Sequence, residues 1–293
     1  MRKNDIEDDE IRIIGEATKG NAEGRRWNPW KAAVVALTLA AVVMSVWFVA
    51  KGHGTSSNNT GQVDDRQDVT TEDASVNNLW LDNSDDSGEA YTEISDTTVR
   101  EVRLRLFTPR NCRPELVVGE LDTHRHSLVM AVQAADIRKD NGGIVGAFVM
   151  KGVPLAWGLS KSGYCAIIKG RMCVGVAENS PFFEQATETE GYFFRQYALV
   201  DHGHVVPSNL ENKAIRRALC NLYGEAVVVE SQQKILMDDF SEALVALGAS
   251  EAIYLVGGST FQMAKDADQI HHITGQLWSH KAKNVNYLVF LSE

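Results

Sequence analysis

Two stretches that follow apolar runs carry side chains able to do chemistry. Glu230 and Ser231 end a run of valines, and a Gly-Gly-Ser segment at residues 257–259 follows a second apolar run. The segment between them predicts a helix from Asp239, with apolar residues three and four apart and Gly248 placed to end it. If the flanking strands are parallel, both sets of residues reach one edge of the sheet, where ligands of such sheets bind.

Histidines provide a second candidate chemistry. His202 and His204 have the His-x-His spacing of some metal sites, but Gly203 between them indicates a hairpin tip. No third ligand lies nearby in sequence, so we assign no metal ligands and leave the cofactor open. His202, next to Asp201, is the strongest candidate for a functional histidine. We expect the others to be surface residues: His124, His126, His271 and His272.

Four cysteines are present: Cys112, Cys165, Cys173 and Cys220. Lys169-Gly170 predicts a two-residue hairpin turn, which places Ala166 rather than Cys165 opposite Cys173. The sequence therefore favours buried free thiols over a disulfide across this hairpin.

Four short motifs occur in a fixed order in the last two thirds of the chain. They are VGAFV at 145–149, RRAL at 216–219, VVVE at 227–230 and AIYLVGGS at 252–259. With these motifs, and with NYLV at 286–289 as a last strand, residues 99–293 resemble the phosphodiester glycosidase family. The resemblance implies hydrolysis of a sugar-1-phosphodiester.

The resemblance also implies roles for particular residues. Arg216 matches the family's arginine and would hold the phosphate, because a guanidinium grips two oxygens at once. Glu230 lies at the matching strand end and would supply acid–base assistance. Asp140, just before a matched strand, is a second candidate for that role. Backbone N–H groups and a hydroxyl of the glycine-rich loop would position the phosphate, from Gly257, Gly258 and Ser259.

Two positions depart from the family pattern. Val145 stands where the family has Asn, and Val256 where it has Asp. Valine neither hydrogen-bonds a sugar nor moves a proton. We favour a hydrolase of an envelope or imported glycan. The alternative is a non-catalytic glycan-binding or envelope-scaffold module on the same fold.

An aromatic run at residues 191–197 (GYFFRQY) has two interpretations. It predicts a core strand. The alternative is a sugar-stacking wall with Arg195 beside it.

Residues 32–50, from Ala32 to Ala50, contain no charge, Gly or Pro. A helix of this length reaches about 28 Å, close to the thickness of a bilayer core. Arg25, Arg26 and Lys31 precede it and Lys51 alone follows, so the N-terminus is expected in the cytoplasm. We interpret the segment as an uncleaved signal-anchor in the lipid bilayer, with the C-terminal domain periplasmic or otherwise extracytoplasmic.

Composition defines the remaining organisation. The 293-residue chain has a net charge of -10 and no basic block, which argues against nucleic-acid binding. Residues 51–98 carry 2 basic and 11 acidic side chains and few apolar ones, which predicts a disordered linker after a cytoplasmic tail at 1–31. Residues 99–293 predict an α+β domain, a mixed β-sheet with a few packed helices. Its expected strands are 102–107, 115–119, 128–133, 144–149, 164–168, 172–176, 192–200, 226–230, 252–256 and 287–291.

Overall fold

A computed structural model describes residues 79–208, 210–277 and 283–293. The predicted cytoplasmic tail, the membrane segment at 32–50 and residues 51–78 of the predicted linker lie outside these ranges. Among the residues described, neither helix has the length and apolar character needed to cross a bilayer.

The described ranges contain seventeen strands and two helices. In chain order they are β1 (Tyr91–Val99), β2 (Val102–Arg110), β3 (Arg113–Val118), β4 (Leu128–Gln133), β5 (Ala147–Met150), β6 (Val153–Trp157), β7 (Gly163–Ile168), β8 (Arg171–Val176), α1 (Phe182–Glu188), β9 (Tyr192–Gln196), β10 (Ala198–Asp201), β11 (His204–Val205), β12 (Arg217–Leu222), β13 (Glu225–Ser231), α2 (Met237–Leu247), β14 (Ala249–Leu255), β15 (Gln262–Lys265), β16 (His271–Thr274) and β17 (Asn286–Leu291).

The strands form three sheets whose hydrogen-bonded neighbours are all antiparallel. The first has the order β1-β2-β13-β12-β14-β10-β11, the second β16-β15-β4-β17-β3, and the third β6-β5-β9-β7-β8. Strands hold 49% of the described residues and helices 9%. The α+β expectation is therefore wrong, because strands outnumber the packed helices that we expected and sheets pack directly on one another.

The helix that was expected from Asp239 does form, as α2. It begins two residues earlier, at Met237, after Leu236, which makes no side-chain cap hydrogen bond. Gly248 ends it in the left-handed conformation at φ 107°, as the sequence indicates. Because β13 and β14 are both antiparallel to β12, they are parallel to each other, and α2 is the crossover between them.

The folded region begins before the predicted boundary at residue 99. Residues 91–99 form β1, which pairs with β2 along nine positions, and Thr92 within it is fully buried. The threonines and Ile94 of this strand favour extended structure despite the surrounding acidic residues. Before it, Asn83 exchanges hydrogen bonds with the backbone of Ala226. The last part of the predicted linker is therefore part of the domain.

All three sheets share one hydrophobic core. Phe107 and Leu219 of the first sheet pack in a single cluster with Met130 and Leu288 of the second and Phe148 of the third. A second cluster lies between α2 and the first sheet. Since the ends of β12, β13 and β14 emerge from this packed core, the residues that follow them are held in fixed positions.

Candidate functional site

The residues expected at one sheet edge do meet there, around an arginine that sequence reasoning missed. Arg217, at the start of β12, lies opposite Glu230 of β13 on one side and Leu255 of β14 on the other. Its Nε and Nη2 donate to Glu230 Oε2 at 3.0 and 2.5 Å. Its Nη1 donates to the Val256 carbonyl at 3.0 Å and to Thr260 Oγ1 at 3.1 Å.

Both side chains of this ion pair are largely inaccessible to solvent. The Arg217 side chain is fully buried and the Glu230 side chain is 10% exposed. One carboxylate oxygen of Glu230 accepts two of the arginine's hydrogen bonds, so the charge expected for acid–base chemistry is neutralised within the protein.

Arg216, the expected phosphate anchor, is 1% exposed. Its Nη2 donates to the carbonyl and to Oδ1 of Asn212 at 2.6 and 3.1 Å, and its Nε donates to the carbonyl of Ile235 at 3.4 Å. Its backbone N–H donates to Ser231 Oγ at 2.8 Å. The guanidinium therefore links the segment before β12, which contains Asn212, to the segment after β13, which contains Ile235.

The glycine-rich loop packs on the backbone before β12. The N–H of Gly258 donates to the Ile215 carbonyl at 3.1 Å, and a Cβ at Gly257 would lie 2.7 Å from that same oxygen. The carbonyl of Ser259 accepts a hydrogen bond from the Gln276 N–H. Glycine at 257 is thus explained by close contact with another part of the chain.

Asp140 is exposed in a turn, and its ion-pair partner is Arg138, at 3.4 Å. Val256 is 4% exposed, and its carbonyl accepts the hydrogen bond from Arg217 Nη1. The structure brings together Arg216, Glu230 and the loop at 257–259, and gives Asp140 a separate local partner. Arg216, Glu230 and the loop at 257–259 are each packed against, and hydrogen-bonded to, other parts of the protein.

The aromatic run at residues 191–197 is a core element. All five residues of β9 are buried. Arg195, 2% exposed, donates to the carbonyls of Lys161, Ala177 and Glu178 at 2.7–2.8 Å. The core-strand interpretation is confirmed, and the sugar-stacking wall is wrong.

A second buried ion pair was also missed. Lys161 Nζ donates to Asp136 and, at 2.7 Å, to Gln196 Oε1. The ammonium also lies 4.4 Å from the centre of the Tyr197 ring. Burial raises the pKa of Tyr197. No sequence signal links Asp136 with Lys161, because their spacing matches neither helix nor hairpin geometry.

A third cluster lies at the tip of the β10–β11 hairpin. His202 Nδ1 is 2.6 Å from Asp201 Oδ1 and 3.6 Å from Glu251 Oε1. The hydrogen bond to Asp201 raises the pKa of His202, and burial raises the pKa of Glu251. Sequence reasoning identified the first two residues and missed Glu251, which reaches the hairpin from β14.

An open groove of about 850 Å³ lies on another face of the domain. Its walls come from the segment before β1 and from the β2–β3 and β7–β8 turns. The side chain of Arg171 lies over the ring of Trp80, with its guanidinium carbon 5.0 Å from the ring centre. The charged residues that line the groove are Asp82, Arg113, Lys169, Arg171 and Glu293.

Comparison with known proteins gives no family assignment. No family model matches the chain, and no curated protein matches it. Two solved structures are distantly similar to this chain. One is the zebrafish N-acetylglucosamine-1-phosphodiester alpha-N-acetylglucosaminidase catalytic domain auto-inhibited by its pro-peptide, with TM-score 0.47 and 13% identity over 70% of this chain and 83% of that one. The other is a hypothetical protein from Synechocystis, with TM-score 0.47 and 11% identity over 69% of this chain and 62% of that one.

Proposed function

We propose that the described domain is a non-catalytic binding module for an anionic glycan, carried outside the cytoplasm on the membrane anchor that residues 32–50 predict. The observation that carries the proposal is the buried Arg217–Glu230 pair. Cleavage at an anomeric carbon needs a carboxyl group that reaches the substrate. Here the matched carboxylate is held by an arginine inside the protein.

The state of Arg216 supports the same conclusion. A phosphate anchor must present its N–H groups to solvent in the free protein, but this guanidinium is buried and donates to backbone carbonyls. Releasing it would leave those carbonyls without a donor, at a cost of about 1–3 kcal/mol for each buried group. Glu230 Oε2 and the guanidinium of Arg216, the two groups that the resemblance assigns to the hydrolase, are both held by partners within the protein.

The groove beside Trp80 offers the binding surface. Three cationic side chains and two carboxylate side chains line it, with the Trp80 ring on one wall. Lys169 and Arg171 are exposed on the β7–β8 hairpin, where they reach an acidic group on a sugar. The Arg171 guanidinium lies over one face of the Trp80 ring and Phe182 packs against the ring in an edge contact, so the exposed cations, and not the ring, are the groups that bind the acidic group of a saccharide.

A sugar-release assay tests the absence of catalysis. The full-length chain in detergent is incubated with an alpha-N-acetylglucosaminyl phosphodiester, with and without divalent metal. We expect no release above the rate of the Glu230→Gln variant. Release that disappears in both Glu230→Gln and Arg216→Ala, with both variants folded by circular dichroism, would overturn the proposal in favour of the hydrolase.

A glycan array with sulfated, phosphorylated and uronic-acid saccharides tests the groove. We expect Lys169→Glu to weaken binding by about tenfold, since it reverses a charge at the site. Lys151→Glu is the matched control. Lys151-Gly152 has φ angles of 48° and 77°, and Lys169-Gly170 has φ angles of 51° and 79°, so the two left-handed turns are equivalent. Of the two turns, Lys169-Gly170 lines the groove. Equal loss in both variants, or binding of neutral sugars alone, would contradict the proposed surface.

A further inference from the structure

The tip of the β10–β11 hairpin brings together ligand-type side chains from two strands. His202 and Gly203 form the two-residue turn, both with positive φ, at 49° and 75°. In the neighbouring strand β14, Ala252 pairs with Val200, so Glu251 lies beside Asp201 and the turn. The backbone N–H of His202 donates to Glu251 Oε1 at 3.1 Å, which fixes the turn against β14.

The separation of the ligand atoms matches a small coordination sphere. One ligand atom from each of Asp201, His202 and Glu251 lies within 4.8 Å of the other two. A tetrahedral zinc ion with bonds of about 2.0–2.2 Å holds neighbouring ligand atoms about 3.3–3.6 Å apart. The 3.6 Å distance from His202 Nδ1 to Glu251 Oε1 lies at the top of that range, and the 2.6 Å distance to Asp201 Oδ1 lies below it. Small side-chain rotations therefore bring the three atoms onto one ion.

Glu251 separates this cluster from an ordinary surface ion pair. Its side chain is 14% exposed, and its Oε2 is buried without a hydrogen-bond partner among the described residues. No lysine or arginine in the described ranges forms an ion pair with Glu251 or Asp201. A buried carboxylate oxygen costs free energy unless a donor or a cation meets it. A metal ion that binds both carboxylate oxygens of Glu251 would supply that partner, with Oε1 as the oxygen nearer to His202.

The second strand of the hairpin, β11, offers a fourth ligand. His204 pairs directly with Asp201 in the β10–β11 register, so both side chains project from the same face. Its imidazole is exposed. One or two imidazole nitrogens with two carboxylates form a donor set suited to zinc, whereas calcium and magnesium prefer oxygen ligands alone.

We propose that Asp201, His202 and Glu251 bind a zinc ion, with His204 as the fourth ligand. The ion fastens the β10–β11 hairpin, at the edge of the first sheet, to β14. This site is separate from the sheet edge at Arg217 and Glu230 and from the groove beside Trp80. The role of the zinc ion is structural.

Isothermal titration calorimetry of the full-length chain, stripped of metal with a chelator, tests the site with zinc chloride as the probe. We expect one zinc ion per chain and a rise in melting temperature on adding zinc. His202→Asn and Glu251→Gln should each weaken zinc binding by at least about tenfold. Asn-Gly is the favoured sequence of this turn, and glutamine keeps the acceptor for the His202 N–H, so both variants preserve the hairpin.

His272 gives a matched control. It pairs with Asp266 at 2.7 Å on the edge strand β16, as His202 pairs with Asp201, but no third ligand joins it in the described part of the chain. His272→Ala should leave zinc binding unchanged, and His204→Ala should weaken it less than His202→Asn. Three results would overturn the site: no stoichiometric uptake, uptake unaffected in both His202→Asn and Glu251→Gln, or equal loss in His272→Ala.

Discussion

Glu230 Oε2 accepts hydrogen bonds from both Nε and Nη2 of Arg217, which lies directly opposite it on the neighbouring strand. Both partners are buried and the arginine also donates to Val256 and Thr260. The pair thus connects β12, β13 and the loop after β14. In the fold, the Glu230 carboxylate is therefore the counter-ion of a buried arginine.

Breaking this pair should be costly. Arg217→Met leaves the Glu230 carboxylate buried without its cation, and Glu230→Met leaves the guanidinium without its anion. We expect each variant to lower the free energy of unfolding by about 3–5 kcal/mol. The double variant should be less destabilised than the sum of the two, with a coupling of about 2 kcal/mol. Urea denaturation of the four proteins measures the cycle.

An exposed pair of the same sheet provides the comparison. Arg105 and Asp96 form an ion pair at 2.7 Å on β2 and β1, with side chains 38% and 60% exposed. Asp96→Asn should change the free energy of unfolding by less than about 1 kcal/mol, because solvent screens the pair. Additive effects in the Arg217–Glu230 cycle would show that the two charges do not depend on each other.

The glycine-rich loop gives a second prediction. Gly257→Ala places a Cβ 2.7 Å from the Ile215 carbonyl oxygen, so one of the two backbone segments must move. We expect destabilisation of about 1–3 kcal/mol, the usual cost of overpacking. Ser259→Ala, at an exposed position two residues later, should have little effect on stability. If Gly257→Ala proved neutral and lost only ligand binding, the loop would be a ligand cradle after all.

The sequence predicted the positions of some residues at the candidate site and missed others. The strand–helix–strand pattern correctly placed Glu230 near the loop at 257–259, because apolar spacing and Gly248 are local signals. Arg217 was missed, since its partners are set by strand register across β13 and β14, which is not a local property. Glu251 was missed for the same reason, as it reaches His202 only through the pairing of β14 with β10.

The fold was predicted in part. Each of the ten expected strands corresponds to structure in β2 to β17, and the Lys169-Gly170 turn has the expected left-handed conformation. The short edge strands β6, β11 and β16 were missed, because they have little burial to impose an apolar pattern. The strands β12 and β15 were missed as well, although both are largely buried. β1 was missed because its acidic surroundings resemble a linker, whereas its stability comes from pairing with β2.

The segment before β1 leads to a pH-dependent prediction. Asp85 accepts hydrogen bonds from the Ser87 backbone and hydroxyl groups, from Asn111 Nδ2 at 2.7 Å and from the Tyr91 hydroxyl at 2.9 Å. These bonds, those from Ser87 most of all, hold the pKa of Asp85 well below its usual range. A lowered folded-state pKa contributes stability that is complete above the unfolded pKa of about 3.9 and is lost as pH falls toward the folded value.

Asp85→Asn should therefore lower the urea midpoint at pH 7, and the difference from the parent protein should shrink as the pH falls from 4 toward 2. Asp86→Asn is the control, because Asp86 is the exposed neighbouring carboxylate. Denaturation curves at pH 7, 4 and 2.5 provide the comparison. A difference that grows at low pH would reverse the assigned direction of the pKa shift.

The cysteines give the last prediction. Cys165 lies opposite Val174 and Cys173 opposite Ala166, the register expected from the two-residue turn, and all four cysteines are free thiols. Burial raises the pKa of Cys112 and of Cys173 to about 12, and raises the pKa of Cys165 and Cys220 as well.

Because the thiolate is the reactive form, the native protein should react with a disulfide reagent at pH 8 far more slowly than a free thiol does. All four thiols should react at once in guanidinium chloride. A fast native reaction that Cys112→Ser abolishes would show that the half-buried Cys112 is open to solvent, and a loss of two thiols in the denatured protein would reveal a disulfide that this register opposes.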